Sequence, residues 1–141
     1  MLRAVTAIFA AACVTTLAGC GVQGEAYRPR PIPAAQSLIY IYRPYKFLSS
    51  QAAPMVTCGH DSVELEPGGF YEFVQDSGTL TCAVAGDQTA DYKFDTRAGE
   101  RYFIKEEVDA DGLATRVRFI PMDADVGRDE IKACSLQGIK Q

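Results

Sequence analysis

Along most of this chain apolar residues alternate with polar ones in short runs, and glycine, proline or aspartate breaks each run. One stretch departs from this. Leu38-Ile39-Tyr40-Ile41-Tyr42 is continuously apolar or aromatic and stops at Arg43-Pro44. Such a run predicts a strand covered on both faces, or one whose tyrosines cover an exposed face. Residues 54–58 predict a second strand with Val56 and Cys58 on one face, and Gly59-His60-Asp61 turns the chain into Val63-Glu64-Leu65. Pro67-Gly68-Gly69 then precedes Phe70-Tyr71-Glu72-Phe73-Val74, and Asp76-Ser77-Gly78 precedes residues 79–84, where Leu80, Cys82 and Val84 point inward. Further strands fall near 91–96 and 101–107, split by Ala98-Gly99-Glu100, and near 113–120 after Asp109-Ala110-Asp111-Gly112. About seven short strands with turn signals every 8–12 residues or so predict an all-β fold, a small antiparallel β-sandwich. Only the tail changes period. Val126, Ile131 and Leu136 line one face of a short helix beginning after Asp125 as its N-cap, expected to cover an open edge or end of the sandwich.

The first residues follow a different pattern: Arg3, an apolar-rich segment over 4–17, then Leu17-Ala18-Gly19-Cys20. This is the layout of a secretory signal. A transmembrane helix needs about 20 mostly apolar residues, and this run is shorter and interrupted by Thr6, Thr15 and Thr16. An ordinary signal peptide cut after Gly19 would leave Cys20 as a free thiol. The Leu-Ala-Gly-Cys ending, however, resembles the lipobox of bacterial lipoproteins. That resemblance implies a diacylglycerol on the Cys20 thiol and cleavage of the bond before it. Two or three acyl chains hold essentially permanently, since each buried CH₂ contributes about 0.8 kcal/mol. Gly21, rather than aspartate, follows Cys20. In enteric-type lipoproteins that implies the outer membrane, facing the periplasm, over retention at the inner one. The expected organisation is a signal peptide over 1–19, the lipidated cysteine and a Pro-rich tether over 20–36, a β-sandwich over 37–136 and a tail over 137–141. Tyr27-Arg28-Pro29-Arg30-Pro31-Ile32-Pro33 favours extended polyproline geometry, which predicts a semi-stiff spacer lifting the domain off the lipid.

Removing residues 1–19 leaves 122 of the 141 residues, enough for one domain with a core and too few for two. Of the 14 Lys and Arg only Arg3 leaves with that segment, so 13 basic residues face 18 acidic ones. A mildly acidic chain without a basic cluster is not expected to bind nucleic acid. The same deficit leaves the acyl chains as the source of membrane affinity. Beyond Cys13 and Cys20 the cysteines are Cys58, Cys82 and Cys134, which permit one disulfide and one leftover thiol. If the strands at 54–58 and 79–84 are neighbours, Cys58 and Cys82 both face the core and form the bridge. The alternative, Cys58–Cys134, would staple the tail to the sheet.

No constellation in the chain spells out a reaction. His60 is the single histidine and sits in a turn, where a solvated side chain is expected. There is no Cys-x-x-Cys, so neither metal nor other cofactor is expected. The Asp109/Asp111 and Asp123/Asp125 pairs lack the glycine and glutamate spacing of a calcium loop. Glu106 and Glu107 are strand neighbours and face opposite sides, so they do not flank one bond. Ser49, Ser50, Ser62, Ser77 and Ser135 have no nucleophile-elbow context.

Ile39-Tyr40-Ile41-Tyr42-Arg43-Pro44 with Phe47, Cys58-Gly59-His60, Gly68-Gly69-Phe70-Tyr71 and Ala98-Gly99-Glu100-Arg101-Tyr102-Phe103 together carry a family likeness. Over residues 37 to 121 the chain resembles small bacterial lipoproteins catalogued as a domain of unknown function, number twenty-eight forty-six. The resemblance implies a small β-sandwich and no catalytic residues. Two motifs depart from it: Gly59-His60 stands where an Asp-Gly turn is usual, and Asp76-Ser77-Gly78-Thr79 where Pro-Gly-Lys-His is usual. The expected function is therefore a non-enzymatic envelope lipoprotein, anchored in the bilayer through acylated Cys20 and binding or bracing another envelope protein. An accessory or pilot subunit of a secretion or surface-assembly machine is the alternative. Tyr40, Tyr42, Arg43, Tyr45, Lys46 and Phe47 form the candidate partner surface, being rich in the aromatic and arginine side chains that anchor interfaces.

Overall fold

The computed structural model describes residues 24–46, 52–110 and 115–137, the side chains of 88, 89 and 110 excepted. Cys20, Phe47, Ser49, Ser50 and Asp111 lie outside them. Among the described residues, nine strands and one short helix form an all-β sandwich: β1 (Gln36–Arg43), β2 (Met55–Cys58), β3 (Asp61–Glu64), β4 (Gly69–Asp76), β5 (Gly78–Val84), β6 (Asp87–Thr96), β7 (Arg101–Ala110), β8 (Thr115–Met122), α1 (Ala124–Ile131) and β9 (Ser135–Leu136). One sheet runs β8-β7-β1-β4-β9 and the other β3-β2-β5-β6. Pairing is antiparallel except for β1 with β7 and β4 with β9, which are parallel, so the first sheet is mixed rather than wholly antiparallel.

The centre of the mixed sheet explains the unbroken apolar run. β1 is flanked by β7 and β4 and is buried along almost its whole length. Ile39 and Ile41 enter the inter-sheet core with Val56, Leu65, Phe73 and Ile104. Leu38, Tyr40 and Tyr42 enter a second apolar layer on the opposite face, with Tyr27, Phe70, Phe103, Ile131 and Cys134. A strand covered on both faces cannot alternate.

Local chemistry sets the turns. β2 and β3 are joined by Gly59-His60, with Gly59 at φ 61°, the left-handed region that two-residue hairpins reserve for glycine. Pro67-Gly68 and Ala98-Gly99 turn as the sequence predicts.

The helix differs from expectation in start and in place. Asp123, not Asp125, is the residue before its first turn, and its side chain makes no capping hydrogen bond. Val126 is exposed and Leu136 lies in β9, so the buried helix face is Gly127 and Ile131. α1 covers the outer face of the mixed sheet, not an open edge, because the aromatic side of β1 and β7 must be shielded from water. Gly127 allows the close approach: a Cβ there would collide with the Phe103 Cβ. Gly127→Ala is therefore expected to destabilise by about 1–3 kcal/mol through overpacking, although alanine is intrinsically the better helix former. Urea unfolding of the two proteins checks this; a stabilised variant would contradict the packing.

Candidate functional site

Tyr40, Tyr42 and Arg43 are not surface residues. Tyr40 and Tyr42 are fully buried and Arg43 is 2% exposed. The expectation of a six-residue docking surface is thus corrected. Alternation along a doubly covered strand sends the two tyrosines into the outer layer and Arg43 between the sheets. Tyr42 donates its hydroxyl to Glu130 Oε2 at 2.8 Å, and Lys105 Nζ lies 3.0 Å from the same oxygen, tying α1 to β1 and β7. Burial pushes the Tyr42 phenol up, and the Glu130 hydrogen bond pushes it further. Burial raises Glu130, yet the hydrogen bonds from Lys105 and Tyr42 outweigh it and leave that carboxyl below its ordinary range. Arg43 donates through Nη1 to the carbonyl oxygens of Ala52 and Leu65. Of the described candidates only Tyr45 and Lys46 reach solvent, and Lys46 sits 3.4 Å from Glu107. Arg118 pairs in turn with Glu107 and Asp109, both at 3.1 Å. Such exposed pairs contribute little to stability, about 0–1 kcal/mol each.

The Pro-rich segment is the second correction. Its described part, residues 24–35, is docked on the mixed sheet instead of standing off as a spacer. Ala26 bridges to Ser135, and the Leu136 amide donates to the Glu25 carbonyl at 2.8 Å. Tyr27 is buried, its ring 5.2 Å from that of Tyr40 and 6.0 Å from that of Phe70, both edge-on. Arg30 pairs with Glu72 at 2.7 Å, while Arg101 donates to the Arg30 carbonyl at 2.6 Å. Ile32 packs beside them. Burial of Tyr27, about 1.5–3 kcal/mol for a fully buried large apolar side chain, helps hold the segment on the sheet. Beneath it burial pushes the Tyr40 phenol up to about 12, with Glu72 and Tyr27 adding to the effect. Burial likewise raises Glu72, against the opposing charges of Arg30 and Arg101. The folded domain therefore begins by residue 24, not at 37.

Cys58 and Cys82 are directly paired across β2 and β5, with Cα atoms 4.2 Å apart and a disulfide between them. That spacing is the close approach of opposed residues in an antiparallel ladder. Cys134 is a buried free thiol in the outer layer, separated from Cys58 by the mixed sheet, so the alternative bridge is not formed. Burial pushes its pKa up to about 11, with Glu130 adding to the effect, so it is an unreactive thiol.

Glu106 is the residue whose importance the sequence reading missed. Glu106 and Glu107 do face opposite sides, but Glu106 faces the core: it is 1% exposed and neither carboxyl oxygen makes a hydrogen bond. Its signal was its phase, because it lies two residues from Ile104 and Val108, both inward-facing. Burial pushes its pKa up to about 8, against the lowering effect of Arg43. His60 is exposed in its turn. Among the described residues no three His, Cys, Asp or Glu side chains converge as a metal site would require. No described helix is long and apolar enough to cross a membrane.

The fold and these sites define an all-β sandwich with a disulfide across its four-stranded sheet and a docked N-terminal segment. No family model, curated protein sequence or solved structure matches this chain.

Proposed function

We propose that this chain is a membrane-anchored envelope lipoprotein whose β-sandwich is a non-catalytic binding or structural module. The observation that carries it is Leu17-Ala18-Gly19-Cys20 at the end of a signal-like apolar segment. The resemblance to the lipoprotein family of unknown function agrees with it. A disulfide between Cys58 and Cys82 suits an oxidising compartment such as the periplasm. Gly21 after Cys20 favours the outer membrane. The chemistry of the domain points the same way: its thiol is buried and its histidine stands in a turn. The folded module is then a shape held at the membrane, recognised by another envelope protein.

Cys20→Ser is expected to abolish incorporation of radiolabelled palmitate and to move the protein from the membrane to the soluble fraction. Its unfolding midpoint should match that of the parent, because the described core is built from residues 27–134. Retention in a washed membrane fraction would sink the proposal.

A further inference from the structure

We infer that the sheet edge formed by residues 24–26 and β9 faces the lipid bilayer, which holds the domain against the membrane instead of on a stalk. The inference rests on lipidation of Cys20 and goes further by assigning one edge of the fold to the lipid. Its first ground is how residues 24–26 are held. Ala26 bridges to Ser135, and the Glu25 carbonyl accepts the Leu136 amide. Gly24 is pressed so closely on the Leu136 carbonyl that no side chain would fit there. Tyr27 and the Arg30–Glu72 pair then pin the following residues to the sheet.

The second ground is reach. Four peptide units separate Cys20 from Gly24, and a fully extended chain of that length spans at most about 14 Å. A domain of this size has a radius of gyration of about 13 Å and hence a diameter of about 35 Å. Turning the opposite face to the bilayer would carry Gly24 beyond the reach of the anchor. The Pro-rich segment would have supplied that reach, but it is spent on docking.

The strand order identifies near and far edges. β9 closes one edge of the mixed sheet and β8 the other, and β6, the edge strand of the second sheet, packs beside β8 and so lies on the far side. Lys132, at the end of α1, is exposed and three residues from Ser135. Lys93, on β6, is exposed and lies between the inward-facing Tyr92 and Phe94.

The test uses the full-length lipidated protein in phosphatidylethanolamine/phosphatidylglycerol vesicles that carry nitroxide-labelled lipid. Lys132→Cys and Lys93→Cys are each labelled with a fluorophore under non-reducing conditions. Quenching by the nitroxide is expected to be severalfold stronger at position 132 than at 93. Inserting a Gly/Ser linker of about 20 residues between Gly21 and Val22 adds roughly 25 Å of reach, and should collapse that difference. Tyr27→Ala, which releases the docked segment, should reduce it partly. Equal or reversed quenching in the parent, with palmitate present and the protein floating with vesicles, overturns the orientation alone. Absence of palmitate and of vesicle binding removes the lipoprotein reading, and the orientation with it.

Discussion

Replacing Cys58 and Cys82 together by alanine is expected to lower the stability of the fold by about 3.5 kcal/mol, the chain-entropy value for a loop of this length. The two cysteines are 24 residues apart and lie fully buried in the inter-sheet core. Their bridge joins β2 to β5 in the middle of the four-stranded sheet. Breaking it frees that loop in the unfolded chain and leaves small voids in the folded one. For a domain of this size the loss corresponds to a fall in Tm of roughly 10–20 °C. Urea titration with and without a thiol reductant is the measurement. The parent should lose stability on reduction, and the double variant should be indifferent to reductant. A parent equally stable in both conditions would contradict a bridge that constrains the unfolded state.

Raising the pH from 5 to 9 is expected to destabilise the parent protein, and Glu106→Gln is expected to remove most of that dependence. Burial holds the Glu106 pKa at about 8, well above the ordinary carboxyl value. Between roughly pH 4.5 and pH 8, the folded protein keeps a proton that the unfolded chain has released. Unfolding then releases a proton, so stability falls as pH rises through this window and levels off above it. At 1.36 kcal/mol per pH unit the full effect is at most about 5 kcal/mol. Glu72, also raised, contributes in the same direction, whereas Glu130, lowered by Lys105 and Tyr42, contributes in the opposite one. The comparison between parent and variant isolates Glu106. Glutamine copies the neutral acid in shape, so the two proteins should differ little at pH 5, and the variant should be the more stable at pH 9. Equal pH profiles would mean that Glu106 is ionised and accommodated within the fold.

Much of the fold was legible because short-range chemistry specified it. Gly59, Gly68 and Gly99 sit in turns and take positive φ, and each marks its turn in the sequence alone. Inward alternation over Leu80, Cys82 and Val84 placed Cys82 on the core face, and Val56 did the same for Cys58. Their pairing then needed only that β2 and β5 be neighbours, which they are. The candidate docking surface differs from the structure because the sequence leaves open what covers the tyrosine face of β1. An apolar and aromatic strand has one composition whether its second face meets a partner or another layer of its own chain.

What covers that second face is set by segments distant in sequence. Tyr27 comes from before β1, Phe70 from β4, Phe103 from β7, and Ile131 and Cys134 from the tail. Prolines made residues 27–33 resemble a spacer, since local propensity reports extended backbone and not what the backbone rests on. Glu106 shows the complementary failure. Its strand phase was readable, but the absence of a hydrogen-bonding partner arises only where two sheets close over it.

The sequence by itself determined most of the strands and turns, the inward cysteines and a signal-like segment ending at Cys20, because each depends on neighbours a few residues away. Tertiary structure alone decided that the mixed sheet is covered twice, that the Pro-rich segment is part of the domain and that Glu106 is sealed in the core. Those outcomes depend on which distant surfaces gain most by excluding water together, and that sum is taken over the whole chain.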